Sequence, residues 1–292
     1  MGRTGGAGGT ETMRGTIMGG LALALSGAAL AQSPSSAPLA SPPATPALGV
    51  VRAPGYLTPD RVPNSILILP PPPVPGSTLD KLDSETYAKT RALTGSERWA
   101  LATRDASQYI QAFDCPLGLK LEAGPQPVGV LFARVARDAS SITNLAKEHF
   151  RHDRPFIKPN GPICTENDRA GLMKSFSYPS GHTTYSWAMA LILAEIAPDK
   201  ASEILARARA FGESRVVCGV HTVSDIEEGR TNGSALVAVL HSSPEFKADL
   251  ETAKAALAAA RSAPHDAPDA GQCRIETDAE EHTPWINPTG VK

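Results

Sequence analysis

The stretch Ser214–Asp225, which reads SRVVCGVHTVSD, places an arginine, a histidine and an aspartate within twelve residues. The aspartate follows the histidine by four positions, so on a helical turn both side chains lie on one face and the carboxylate can hold the ring N–H. An imidazole held in this way keeps its other nitrogen unprotonated for nucleophilic attack. Taken alone, a pair of this kind is more often a structural hydrogen bond than a catalytic group.

Two further clusters lie upstream and make the chemical interpretation more specific. The run PSGH at 179–182 adds a second imidazole beside a glycine-flanked serine, and Lys147 is followed after six residues by Arg154-Pro155. Arginine bonds two phosphate oxygens with one planar group, and lysine adds a point charge. The PSGH run also precedes a predicted helix start, where backbone amides favour an anion. Together the clusters indicate a site for phosphoryl chemistry.

The three blocks K-x6-RP, PSGH and SR-x5-H-x3-D match every fixed position of a known superfamily signature. In this order they resemble the bacterial class A non-specific acid phosphatases, soluble members of the type 2 phosphatidic acid phosphatase and vanadium haloperoxidase superfamily. Two more runs resemble the soluble acid phosphatases in particular, LPPPP at 69–73 leading to Gly76-Ser77, and YPSGHT at 178–183. The resemblance extends from about residue 64 to residue 260.

The resemblance implies a role for each matched residue. It makes His221 the nucleophile that forms a phosphohistidine, and Asp225 the carboxylate that orients it. It makes His182 the acid that protonates the leaving oxygen and then the base that activates water. The residues expected to bind the phosphate group are Lys147, Arg154, Ser180, Gly181 and Arg215. Neither a metal ion nor another cofactor is expected.

Other interpretations of these residues are less favoured. Ser180 is disfavoured as a nucleophile because no strand-turn-helix elbow surrounds it and no third member of a triad is recognisable. His149 and His152 lie inside the first block at positions that vary in the family, and both are expected at the surface. The alternatives for the whole protein are a vanadium-dependent haloperoxidase, which uses nearly the same residues, and a non-catalytic phosphate-binding protein. Binding alone would not require both histidines and the aspartate.

The sequence therefore predicts an acid phosphatase that hydrolyses small phosphate monoesters of broad specificity, and that acts as a phosphotransferase when an alcohol replaces water. Phosphate or vanadate is expected to inhibit it. Two departures from the family bear on substrate choice. Thr222 stands where relatives often carry an aromatic residue, and Glu227 and Glu228 add negative charge just after Asp225.

Composition and periodicity predict the fold class. The chain has 292 residues, 41% of them hydrophobic, and a formal net charge of -2, which describes an ordinary globular chain without the basic excess of a nucleic-acid partner. Apolar residues recur at steps of three and four from Leu79 to Ala106 and again in 128–151, and no stretch alternates with period two. We expect an all-α, single-domain helical bundle of the acid phosphatase and vanadium haloperoxidase type. Further helices are predicted at 183–197, 200–215, 224–240 and 245–261.

Four segments are expected along the chain. Residues 1–31 are typical of a signal peptide that ends in Ala29-Leu30-Ala31, with Met1 or Met13 as the start, and an uncleaved membrane anchor is the alternative. Residues 32–63 are predicted to be a Pro/Ser/Ala-rich flexible leader, 64–262 the phosphatase domain, and 263–292 a polar, disordered C-terminal tail. We expect a periplasmic or secreted protein, away from the membrane after cleavage, and a homo-oligomer as in soluble relatives.

The chain contains four cysteines, which is an even number in a chain expected to be exported. Disulfides are therefore predicted, with three possible pairings. The favoured pairing joins Cys164 to Cys218, since both flank the motif blocks, and leaves Cys115 with Cys273. Buried thiols are the alternative.

Overall fold

The computed structural model describes residues 53–121 and 126–286, which belong to one compact unit, and all regular structure in those two ranges is helical. The all-α, single-domain prediction is confirmed. The helices are α1 (Ser65–Ile68), α2 (Thr78–Thr90), α3 (Glu97–Arg104), α4 (Asp114–Leu117), α5 (Gln126–Phe150), α6 (Arg169–Leu172), α7 (Gly181–Ile196), α8 (Ala201–Val217), α9 (Val223–Leu240), α10 (Pro244–Ser262) and α11 (Ala270–Glu281). The predicted bounds of α7 to α10 agree with these to within two residues. None of the described helices is long and apolar enough to cross a membrane.

Helix α7 forms the centre of the bundle. It packs against α5, α8, α9 and α10. Its sequence is apolar on all faces beyond the first turn, and a helix of that kind is buried. Met189, Ile192 and Leu193 are fully inaccessible to solvent. Because each such side chain stabilises the fold by about 1.5–3 kcal/mol, the helix that begins in the PSGH block is firmly held.

Helix α9 lies close against the start of α7 because of a glycine. A Cβ atom at Gly229 would lie 2.9 Å from the carbonyl oxygen of Ser180 and 2.8 Å from the Cβ of Thr183, so no larger residue fits without a shift. The backbone N–H of Ser180 donates to the carbonyl oxygen of Asp225 at 2.9 Å. The second and third motif blocks are thereby joined directly.

Both favoured disulfides are present in the structure. Cys164 is bonded to Cys218 across a sequence separation of 54 residues, and Cys115 to Cys273 across 158. The first links the loop before α6 to the end of α8. The second links α4 to α11.

The N-terminal side of the domain begins earlier than the sequence predicts. Of the predicted leader, residues 32–52 lie outside the described residues, as does the predicted signal peptide, whereas residues 53–63 pack on the domain. Tyr56 is buried, its backbone N–H donates to the Asp138 carboxylate at 2.7 Å, and its hydroxyl donates to Asp249 at 2.7 Å. Tyr56 is a single aromatic residue among prolines and glycines. The composition of the leader therefore does not predict that residues 53–63 pack on the domain.

The C-terminal segment 263–292 was expected to be disordered, but its described part contains α11, which packs against α8 and α3. Glu276 on this helix lies 3.1 Å from Nε of Arg207, and the same guanidinium donates to Asp105 at 2.6 Å. All three side chains are buried. A disulfide and buried ion pairs hold α11. The helix has no apolar stripe, so hydrophobic periodicity does not predict it.

We expect Arg207→Ala to lower the free energy of unfolding by about 3–5 kcal/mol, because it leaves two carboxylates buried without their cation. Urea unfolding of the oxidised protein measures this. The control is Arg261→Ala, since Arg261 pairs with the largely exposed Asp199. That variant should lose no more than about 1 kcal/mol. Equal losses in the two variants would contradict the role given to the buried pairs.

Candidate active site

A cavity of about 350 Å³ opens between α5, the start of α7 and the turn that precedes α9. It contains residues from all three motif blocks. The residues that line it are Tyr109, Ala136, Ala139, Ser140, Thr143, Asn144, Lys147, Arg154, Gly181, His182, Tyr185 and His221. Five of the eight predicted site residues therefore reach one cavity.

His221 lies in the turn between α8 and α9. Gly219 permits this turn, since its φ of 83° lies in the left-handed region that favours glycine. His221 Nδ1 is 3.1 Å from Asp225 Oδ2, and its Nε2 is 3.2 Å from Nη1 of Arg154. A guanidinium can only donate, so Nε2 accepts and Nδ1 carries the hydrogen. This is the tautomer that the sequence predicts for a nucleophile.

Asp225 is held from two sides by the start of α9. Its Oδ2 accepts the N–H of Thr222 at 2.9 Å, while the Thr222 hydroxyl accepts the N–H of Asp225 at 3.2 Å. These reciprocal bonds form a capping box. Burial raises the pKa of Asp225, whereas its hydrogen bond to Thr222 and the charges of neighbouring cations oppose that shift. The helix cap thus fixes the carboxylate that orients His221.

Two of the predicted phosphate-binding cations face the cavity. Lys147 projects from the last turn of α5 and donates to the carbonyl oxygens of Phe176 and Ser177, the latter at 2.9 Å. Arg154 donates to the carbonyl oxygen of Val220 at 2.9 Å. Burial, with the charge of Arg154, lowers the pKa of Lys147 to about 7. Burial also lowers the pKa of Arg154 to about 10. An anion in the cavity would therefore lie beside two cations that form no salt bridge with a carboxylate in the described part of the chain.

Arg215 does not line the cavity. It is buried, donates to the carbonyl oxygen of Ala102 at 3.3 Å, and lies 3.6 Å from the sulfur of Cys218. Its Nε has no hydrogen-bond partner among the described residues. Its charge nevertheless contributes to lowering the pKa of both histidines. Arg215 therefore lies behind the residues that line the cavity.

The serine of PSGH serves as the N-cap of α7. Its Oγ accepts from the N–H of Thr183 at 3.3 Å and from the Thr183 hydroxyl at 3.0 Å. Ser180 is fully buried, whereas Gly181 lines the cavity at the positive end of the helix. This arrangement uses the serine hydroxyl as a cap and leaves the backbone of the helix start beside the cavity.

His182 is oriented by a segment that the sequence analysis did not single out. Its Nε2 lies 3.1 Å from the carbonyl oxygen of Ala106, so Nε2 carries the hydrogen. The ring of Tyr109 stacks on it with centroids 5.1 Å apart. Burial, with the charges of Arg215 and His221, holds the pKa of His182 well below its usual range. Burial, with Arg154 and Lys147, does the same for the pKa of His221.

His152 is only partly exposed, whereas the sequence predicts a surface residue. Its side chain is 30% exposed, and its Nδ1 lies 3.1 Å from the hydroxyl of Ser177 and 3.9 Å from Oδ1 of Asp225. His149 is exposed, as expected. No spacing rule marks His152, because the chain has to turn after α5 before its ring can face α9. Among the described residues, no group of three or more His, Cys, Asp or Glu side chains has the arrangement of a metal site.

Comparison with known proteins identifies the family of this chain. The family described as the PAP2 superfamily matches residues 128–248, which include all three blocks. An acid phosphatase of Zymomonas mobilis subsp. mobilis is 43% identical over 73% of this chain and 83% of that protein. Non-specific acid phosphatases of Providencia stuartii and Salmonella typhimurium are 38% and 35% identical, over 68% and 67% of this chain and 83% and 80% of theirs. The chain belongs to the acid phosphatases of the PAP2 superfamily.

Proposed function

We propose that this protein hydrolyses phosphate monoesters of broad specificity through a phosphohistidine at His221. The observation that carries the proposal is the tautomer of His221, whose Nδ1–H is directed to Asp225 while Nε2 is left unprotonated beside Arg154. The names of the relatives support the reaction class. Phosphate and vanadate, which resemble the product and the transition state, are proposed to inhibit.

In the first step, Nε2 of His221 attacks phosphorus and the bond from phosphorus to the leaving oxygen breaks. His182, protonated on both nitrogens, gives the Nδ1 proton to that oxygen, so the alcohol leaves neutral. The charge that develops on the imidazole of His221 is stabilised by Asp225. Lys147, Arg154 and the amides at the start of α7 neutralise the phosphoryl oxygens, which is the largest electrostatic contribution.

In the second step, neutral His182 takes a proton from water as the water oxygen attacks phosphorus. The phosphorus–nitrogen bond breaks, inorganic phosphate forms, and His221 returns to its neutral tautomer. An alcohol in place of water would receive the phosphoryl group instead, which is the proposed phosphotransferase activity. Export by the segment 1–31 to the periplasm or medium, and assembly as a homo-oligomer, belong to the same proposal.

Hydrolysis of p-nitrophenyl phosphate in the presence of EDTA, between about pH 4 and 8, tests the proposal. We expect activity to survive chelation and to rise toward acidic pH, because the lowered pKa of His182 leaves it unprotonated near neutrality. Bromide oxidation that appears only with vanadate, without phosphatase turnover, would indicate a haloperoxidase. Absence of both activities would indicate a binding protein.

The affinity for anions should fall as pH rises through about 7, because Lys147 then loses its charge. Sulfate is a suitable probe, since it stays a dianion over this range. We expect its inhibition constant to rise by up to about tenfold per pH unit above the Lys147 pKa. In Lys147→Arg, whose guanidinium keeps its charge, this rise should be clearly smaller. Identical pH profiles in the two proteins would contradict the role of Lys147.

A further inference from the structure

A chain of hydrogen bonds leads from His221 away from the cavity to His152. The Ser177 hydroxyl lies 3.3 Å from Oδ1 of Asp225 and 3.1 Å from Nδ1 of His152. The backbone N–H of Ser177 also donates to the carbonyl oxygen of His152 at 2.8 Å. The backbone turns at Arg151, which has a φ of 48°, just before His152. Residue 152 is thus placed by two independent contacts with Ser177 and by a sharp turn.

The Asp225 carboxylate depends on these contacts for one of its two oxygens. Oδ2 accepts from His221 and Thr222, whereas Oδ1 lies 3.3 Å from the Ser177 hydroxyl, which also lies 3.1 Å from the carbonyl oxygen of Asp153 and has one hydrogen for the two acceptors. The carboxylate is completely buried. A buried carboxylate stays ionised only where hydrogen bonds and nearby cations compensate its lost hydration. Such compensation is needed most at acidic pH, at which a carboxylate would otherwise take up a proton.

The charged groups that face Asp225 come from several elements. Lys147 at the end of α5 and Arg154 in the loop after it lie on the cavity side, where a phosphate group would share their charge. Asp83 on α2 lies on another side, accepts the N–H of Ser224 at 3.0 Å, and repels Asp225. Among the described residues, only His221 and His152 bring a basic nitrogen within 4.0 Å of this carboxylate.

We propose that the positive charge of His152 makes it a positioning residue, which keeps Asp225 ionised and directed at His221 under acidic conditions. The inference rests on the proposed function of His221. Histidine gains its charge in the mildly acidic range. A cation beside Oδ1 favours the ionised form of the Asp225 carboxylate and opposes its protonation as the pH falls. A protonated Asp225 would accept the Nδ1–H of His221 less strongly and would no longer stabilise the charge that develops on the imidazole.

The test compares kcat against pH for His152→Gln, His152→Arg and a control, His149→Gln. Glutamine keeps a hydrogen-bonding group without charge, arginine keeps the charge at every pH, and His149 is an exposed histidine one turn earlier. We expect the acid limb of His152→Gln to move up by about one pH unit, which is about a tenfold loss on that limb. Near neutral pH the loss should be small. His152→Arg and His149→Gln should keep the acid limb of the wild type.

Two results would overturn the proposal. One is an unchanged acid limb in His152→Gln. The other is an equal loss of kcat at every pH in both His152→Gln and His152→Arg, since that would assign His152 a structural role without a role for its charge. An inactive wild-type protein would instead refute the proposed function, so the two failures can be told apart.

Discussion

Replacing His221 with alanine is expected to lower kcat for p-nitrophenyl phosphate by at least about 10⁴-fold, the range in which removal of a covalent nucleophile falls. The reason is that no other described side chain combines an unprotonated nitrogen, a buried carboxylate partner and contact with Arg154. Steady-state kinetics at the acidic optimum measure the effect. A loss smaller than about tenfold would mean that the attack does not need His221.

The control for this variant is His241→Ala. His241 is a partly exposed histidine at the end of α9 and lies 3.3 Å from Glu195, outside the residues that line the cavity. It should retain wild-type turnover. Sulfate should still protect His221→Ala against thermal unfolding, because Lys147, Arg154 and the start of α7 are unchanged. That protection separates loss of the nucleophile from loss of the site.

Replacing His182 with alanine is expected to have an effect that depends on the leaving group. For an alkyl ester such as glycerol 2-phosphate, loss of the general acid should slow the first step by about 10²–10⁴-fold. For 2,4-dinitrophenyl phosphate, whose leaving group needs no proton, the first step should persist while the second slows. Rapid mixing should therefore show a burst of dinitrophenolate, followed by slow turnover.

Ser140→Ala is the matched control for the His182 variant. Ser140 lines the same cavity, but its hydroxyl donates to the carbonyl oxygen of Ala136 within α5 at 2.9 Å. Ser140→Ala should hydrolyse both esters at nearly the wild-type rate. If His182→Ala slowed the first step equally for both esters, the role of His182 as the acid of that step would be excluded.

The convergence of the three motif blocks on one cavity could be predicted from the sequence because fixed spacings mark them. The separation of four positions from His221 to Asp225 spans a helix cap, and PSGH provides both the cap of α7 and the second imidazole of the site. Spacing does not predict whether each side chain of the signature lines the cavity or lies behind it. Arg215 is part of the signature but lies behind the cavity, because α8 is packed between α7 and α3 and buries that face.

Contacts made by distant segments were not predictable from spacing. Tyr109 and the carbonyl oxygen of Ala106 orient His182, yet they come from the loop after α3, where no motif marks them. Helix α11 is not predictable from hydrophobic periodicity, because ion pairs and a disulfide stabilise it and an apolar stripe does not. The turn with left-handed backbone at Arg151, which brings His152 beside Ser177, is likewise not visible in a residue pattern.

The measurement that tests the account most directly is isolation of the phosphorylated enzyme. The His182→Ala variant is mixed with 2,4-dinitrophenyl phosphate, quenched in alkali, which preserves phosphohistidine, and digested for mass spectrometry. The account predicts a phosphoryl group on the peptide that contains His221, in an amount equal to the burst. A burst with phosphate on a different residue, or a burst without any phosphorylated peptide, would contradict nucleophilic attack by His221.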